Sequence, residues 1–202
     1  MIKCNVNVCA VISRSAVVKD NNGEEFFVYT VKLPVKGRHD EVKDLFISVS
    51  QDGGKGKAAM FTEGRRVAVK GTLTVKKKDG KVYYNLRSTG EAELTKSSAE
   101  DNIEGTMEFI GKIGKKGVET REDKKNEKFK TFSAFSSEKN GDTTEFIWVS
   151  FLYFRPKDNE GFLDANKYIN VTGDLQLNIF KDDIALQCRV REISEHVFND
   201  KK

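Results

Sequence analysis

Two patterns in this chain have residue types and spacing suited to a chemical role, and both point to binding. Phe146-Ile147-Trp148 places two rings at i and i+2, which a β-strand turns to one face. Rings presented that way stack on nucleobases or pack under a hairpin or at a dimer contact. Lys76-Lys77-Lys78-Asp79-Gly80-Lys81 gathers four cations around an Asp-Gly pair. Asp-Gly is a tight-hairpin signal, so these lysines form a tip that either attracts a phosphate backbone or solvates a turn.

Patterns for reactive chemistry fail on spacing. His39 and His196 stand far apart in charged, loop-like surroundings, and the chain has no Cys-x-x-Cys or His-x-x-x-His pair, so no zinc site is expected. Cys4, Cys9 and Cys188 are too few and too unevenly placed for a disulfide framework. Cys4 and Cys9 lie in an apolar strand pattern, which reads as buried, inert thiols. Gly53-Gly54-Lys55-Gly56-Lys57 looks like a phosphate loop, but Gln51 stands where the motif needs its first glycine and Ala58 where it needs Ser or Thr. Gly111, Gly114 and Gly117 miss the dinucleotide spacing. No carboxylate pair stands out in an apolar setting that would set an acid against a base. The expectation is no catalytic residue, no metal, no cofactor and no enzyme.

The elements that must carry the two patterns are strands. The chain has 202 residues, 35 Lys+Arg and 31 Asp+Glu, a net charge of +4, 38% apolar residues and two prolines, Pro34 and Pro156. This is a globular composition. The longest uncharged run, Cys4 to Ser13, is too short for a membrane span, and no signal-peptide pattern opens the chain. A cytoplasmic, reduced protein that does not contact membranes is expected. Apolar alternation marks Cys4–Val8 and Val67–Val75, and Asp79-Gly80 joins the latter to Val82–Leu86 as a hairpin. Asn22-Gly23 and Asn140-Gly141 mark further turns. Helical periodicity is weak, with short candidates only at Lys57–Thr62 and Phe162–Asn166.

The chain is written twice. FISVS (46–50) returns as FIWVS (146–150), and VKGTL (69–73) as VTGDL (171–175). Val82, Tyr84, Leu86 and Arg87 meet Ile184, Leu186, Cys188 and Arg189. FFVYTVKL (26–33) matches the strand with Phe129, Phe132 and Ala134, and Val8–Ile12 matches Phe109–Ile113. The fold expected is all-β: two tandem five-stranded OB-fold barrels, each with a short helical segment between strands 3 and 4. The division is 1–96, a polar linker at 97–102, and 103–202. A seven-stranded sandwich is the minority alternative.

FIGKIGKKGVETR (109–121), FKTFSAFSS (129–137), TTEFIWVSF (143–151) and YINVTGDL (168–175), in that order, resemble the bacterial single-stranded-DNA-binding (SSB) family. The first half resembles it through FFVYTVKL, FISVS and GRRVAVKGTLTV. The resemblance implies OB-folds that bind single-stranded DNA with little sequence preference, in replication, repair or conjugation. It implies that Phe146, after Thr144-Glu145, stacks on a base. Family members usually assemble four OB-folds, so two tandem chains imply a homodimer. The family's acidic, hydrophobic tail tip is not expected here, since the chain ends in Lys201-Lys202.

The halves divide the binding ingredients unequally. Residues 1–96 hold 18 Lys+Arg and 11 Asp+Glu, against 17 and 18 in residues 103–202. Aromatic residues number 7 in the first half and 13 in the second. Alternation puts Ile47, Val49, Ile147, Val149 and Phe151 in the core, and Val67, Val69, Leu73 and Val75 likewise. It turns Phe46, Phe146, Trp148, Lys70, Tyr83, Arg87 and Arg189 outward. The expected nucleic-acid-binding set is these seven with Lys76, Lys77, Lys78, Lys81, Tyr153, Phe154, Arg155 and Phe180. Phe180 suits a protein contact or one stacked base, and Tyr153-Phe154-Arg155 either stacks bases or covers the barrel mouth. Three readings compete: single-stranded DNA binding, OB barrels used for protein assembly, and an RNA- or oligosaccharide-binding OB protein, because fold alone does not choose a ligand.

Overall fold

The structure, a computed structural model, describes residues 1–37, 40–140, 143–157 and 160–198. His39 and the Asn140-Gly141 turn fall wholly or partly outside the described residues. The first half runs β1 (Ile2–Asn21), β2 (Glu24–Lys36), β3 (Val42–Asp52), α1 (Lys55–Ala58), β4 (Arg66–Lys78), β5 (Lys81–Ser88) and β6 (Glu93–Leu94). The second runs β7 (Asn102–Glu122), β8 (Lys128–Asn140), β9 (Thr143–Phe154), β10 (Tyr168–Phe180) and β11 (Asp183–Glu195). Among the described residues, no helix is long and apolar enough to cross a membrane.

The pairing closes twice. β1 pairs with β2, β2 with β3, β3 in parallel with β5, β5 with β4, and β4 returns to β1. This 1-2-3-5-4-1 circuit is the five-stranded OB barrel. β7, β8, β9, β11 and β10 repeat it, with β9 parallel to β11 and β10 back on β7. β6 is a two-residue addition at Val67 and Ala68 of β4 that no sequence signal marked.

Strict alternation makes the strands. Ile2, Cys4, Val6, Val8, Ala10 and Ile12 are all buried, with polar or half-buried residues between them. Closure needs each long first strand to serve two neighbours. β1 pairs with β4 over residues 3–11 and with β2 over 11–21, bending at irregularities between Ile12 and Arg14 and between Arg14 and Val17. Such bulges bend a strand and sharpen its twist. β7 shifts register between Ile113 and Val118 in the same way. The repeated Val-x-Gly-x-Leu has a steric cause: a Cβ at Gly71 would overlap the Arg87 carbonyl oxygen, and one at Gly173 that of Arg189.

The helix expected at Lys57–Thr62 is found four residues long at Lys55–Ala58. Behind it the Phe61 ring packs 5.0 Å from Phe27 and 5.0 Å from Tyr29. The helix expected at Phe162–Asn166 does not form, and the segment is a run of turns. Asn166 adopts φ 65 and Asp164 Oδ1 accepts the Ala165 N–H. A side chain competing for backbone donors and a left-handed residue both stop a helix from propagating.

Cys4 and Cys188 are buried free thiols, whereas Cys9 is only half-buried, with Sγ 4.0 Å from Thr95 Oγ1. Cys9 sits on a phase facing its neighbours' side chains rather than the core, which corrects the expectation for it. Burial pushes the Cys4 and Cys188 thiols up from 9.0 to about 12. The folded state therefore resists losing protons that the unfolded chain gives up. Stability should hold up to about pH 9 and fall as pH rises toward 12, by on the order of 1 kcal/mol per thiol at about pH 10. Urea midpoints at about pH 8 and 10 check this, and Cys4→Ala should shrink the difference.

The two barrels share a seam. β1 pairs along its other edge with β7, from Ile2↔Phe109 to Cys9↔Asn102. In the repeat Ile2 corresponds to Ile103 and Val8 to Phe109. Ile2 pairs with Phe109, and Val8 pairs with Ile103. Each residue thus meets its symmetry mate's counterpart, so a pseudo-twofold axis passes near Asn5 and Thr106. Gly105 permits the approach: a Cβ there would overlap the Asn5 carbonyl oxygen and crowd Val6 Cα.

Candidate nucleic-acid interface

β8 and β9 carry a ladder of outward side chains. Phe146 faces Ser137, Trp148 faces Phe135, Ser150 faces Ser133, Leu152 faces Thr131 and Phe154 faces Phe129. At one end Phe135 is the hub. Phe146 meets it edge-on at 5.3 Å between ring centroids, and Trp148 lies against it at 4.9 Å. Trp148 is 52% exposed and Phe146 44%. The indole rests over Gly114 of β7, where a Cβ would stand 3.0 Å from the ring. One side of the ring is thus seated on backbone while much of its surface stays open.

At the other end Phe129 stacks on Phe154, 5.0 Å between centroids and 21° from parallel. The Arg189 guanidinium lies 5.0 Å from the Phe154 centroid, over its face. Arg155, with φ 61, joins Phe154, Arg189, Asp123, Glu127 and Lys128 around a shallow depression of about 680 Å³. Six residues of strand separate the two aromatic groups, about 20 Å at ~3.3 Å per residue. Serine, threonine and Leu152 lie between.

Tyr153 is not on this face. It is 5% exposed, in phase with Ile147, Val149 and Phe151, and its hydroxyl donates to Glu160 Oε1. Burial first, then the Glu160 bond, pushes its phenol up to about 12. Lys130 Nζ also lies 3.5 Å from Glu160 Oε2. Strand alternation alone separates Tyr153 from Phe154, and it corrects the inclusion of Tyr153 in the outward set.

Sequence reasoning passes over Phe129 and Phe135. The signal is present: in FKTFSAF the buried phase is Phe132 and Ala134, so Phe129 and Phe135 fall on the opposite phase.

The first barrel has the same ladder with other side chains. In matching register Lys32 and Phe46 stand where the second barrel has Phe135 and Trp148, Asp44 stands for Phe146 and Asp52 for Phe154, while Thr30 and Ser48 match Ser133 and Ser150. Phe46 is exposed opposite Lys32, and Lys32 is 3.3 Å from Asp44. Arg87, the counterpart of Arg189, is ion-paired with Asp52 rather than laid on a ring. Lys70 is exposed on β4 opposite Asn7, apart from the aromatic groups.

The hairpin tips cross over between barrels. The first tip turns at Asp79 (φ 51) and Gly80 (φ 77), and reaches the start of β9. Gly80 N donates to Glu145 Oε1 at 3.3 Å, and Lys77 Nζ lies 3.7 Å from Glu145 Oε2. Lys77 is therefore half-buried against the other barrel, while Lys76, Lys78, Lys81 and Tyr83 are exposed. The reciprocal tip turns at Lys181 and Asp182 and reaches β3. There Lys43 Nζ donates to the Asp182 carbonyl and lies 3.4 Å from Asp183 Oδ1. Phe180 is exposed beside it, with the Lys181 ammonium 5.5 Å from its ring centroid.

No family model and no curated protein sequence matches the chain. Among solved structures it is similar to the wild-type single-stranded DNA binding protein from Thermus aquaticus, at 10% identity and a TM-score of 0.47, over 98% of this chain and 95% of that one. It is similar to the small single-stranded DNA-binding protein from Streptomyces coelicolor at 12% identity and a TM-score of 0.37, over 46% and 94%. It is similar to the N-terminal domain of PriB protein from Thermoanaerobacter tencongensis at 18% identity and a TM-score of 0.31, over 46% and 97%. By its own strand pairing the chain is an all-β protein of two OB-type barrels sharing one continuous sheet.

Proposed function

We propose that the chain binds single-stranded DNA with little sequence preference, by base stacking and backbone electrostatics. The observation that carries this is the outward aromatic ladder of β8 and β9, with Phe135, Phe146 and Trp148 at one end and Phe129, Phe154 and Arg189 at the other. Every base has a π-face, so such rings hold any sequence. Arg189 and Arg155 supply positive charge at one end and the exposed hairpin lysines at the other. The polar residues between leave room for bases to pass without a shape that selects one.

The function needs no catalytic group, metal or cofactor. RNA shares the stacking and charge requirements and is the natural competitor as ligand. Replication, repair or conjugation is the setting the family resemblance implies. The working units are 1–96 and 103–202 with 97–102 between, and two chains would bring four barrels together as a homodimer. The assembly reading draws support from the second hairpin, where exposed Phe180 sits beside Asp182 and Asp183, better suited to a protein contact than to phosphate.

Trp148, the only tryptophan, reports directly on the site. Titration with oligo-dT should change its emission saturably, and added salt should reverse the change. Unchanged emission with no binding by an independent method would remove single-strand binding in favour of assembly.

A further inference from the structure

The pseudo-twofold relation makes two composite faces, each built from the third strand of one barrel and the hairpin tip of the other. Their compositions have diverged in opposite directions. One face joins Phe135, Phe146 and Trp148 to a tip bearing Lys76, Lys78 and Lys81. The other joins Phe46 to a tip bearing Asp182 and Asp183. We infer, resting on the reading above, that only the first face carries nucleic acid, so that each chain holds one single-stranded path, made by the second barrel's rings and the first barrel's lysines together.

Three observations support this. First, the clustered rings belong to one barrel: Phe46 holds the place of Trp148 but faces Lys32 where Trp148 has Phe135, and Asp44 and Asp52 stand where the second barrel has Phe146 and Phe154. Second, the matched arginines are differently engaged. Arg87 is neutralised by Asp52, whereas Arg189 lies on Phe154 with no ion-pair partner among the described residues. A phosphate approaching Arg87 must displace a carboxylate, and one approaching Arg189 need not. Third, the tips differ in charge. The lysine tip is anchored to Glu145, one residue before Phe146, which sets its remaining cations at the end of the strand that carries the rings. The second tip, Lys181-Asp182-Asp183, is anchored to Lys43, three residues before Phe46, and offers a phosphate backbone no excess of positive charge.

The lysine tip is thus foreign to the barrel it serves. The net-positive half contributes charge and the aromatic half contributes stacking, so the unequal composition of the halves becomes a division of labour within one site.

The test is a stoichiometric titration of the full chain with an oligo-dT of about ten residues, within the span of one OB-fold site, followed by Trp148 emission and by calorimetry. One oligonucleotide per chain is expected. Lys76→Ser, Lys78→Ser and Lys81→Ser together should weaken that same site and lower the salt slope by about 0.7 for each phosphate no longer neutralised, at unchanged stoichiometry. Phe146→Ala with Trp148→Ala should leave no second, undiminished site by calorimetry, with unfolding curves showing that the variant is folded. Two oligonucleotides per chain, or a residual site of wild-type affinity in the aromatic variant, would overturn the single path. A lysine variant with wild-type affinity and salt slope would overturn the composite site. Absence of any binding by the wild-type chain would instead remove the single-strand reading itself, and this inference with it.

Discussion

Replacing Trp148 and Phe146 by alanine should each weaken binding to oligo-dT, oligo-dA and oligo-dC by a similar factor. Loss of one stacked base costs about 1–3 kcal/mol, which is roughly 5- to 150-fold in affinity. Trp148 should be the larger of the two, because it is seated over Gly114 and braced by Phe135, and a pre-positioned ring loses little freedom on stacking. The two effects should not simply add, since both rings pack on Phe135 and each truncation loosens the other. Fold stability should move much less than affinity, because about half of each ring is already exposed. Fluorescence anisotropy of labelled homopolymers measures the affinity, and urea unfolding separates it from stability. A Trp148→Ala chain that binds as tightly as wild type would show that the ring packs against protein only.

Gly105→Val should be the most damaging single substitution at the seam between the barrels. The Gly105 backbone lies so close to Asn5 and Val6 that a Cβ overlaps the Asn5 carbonyl oxygen. The neighbour is backbone held on both edges, since Asn5 pairs with Thr72 of β4 and Thr106 of β7. It cannot rotate away as a side chain would. The ladder must part locally, at a cost of about 1–3 kcal/mol or more for an overpacked site. Affinity should fall as well if the lysine tip and the aromatic ladder act together, because the seam sets one barrel relative to the other. Thermal unfolding gives the first effect and oligo-dT titration the second. Full stability in Gly105→Val would mean that the seam opens without cost and does not help hold the fold.

The order of the repeat, the strand phases and the turn at Asp79-Gly80 are legible in the sequence, whereas the register of the third strands is not: FISVS and FIWVS match two residues away from the equivalence that pairing with β5 and β11 sets. A period of two decides which side chains enter the core, and Phe146 and Trp148 accordingly point outward. The same rule, followed two residues further, places Tyr153 inside with Phe151 and turns the overlooked, half-buried Phe129 and Phe135 outward. At Phe162–Asn166 turns replace the expected helix, because composition alone does not reveal that Asp164 bonds its neighbour's backbone and that Asn166 turns left-handed. What only the tertiary structure decides is which half serves which. The β1–β7 seam pairs strands about a hundred residues apart in sequence, and it carries each hairpin tip to the other barrel. A lysine cluster read from the chain belongs by position to the first half. Strand pairing across a pseudo-twofold axis hands it to the second, because backbone hydrogen bonding joins edges without regard to distance along the sequence.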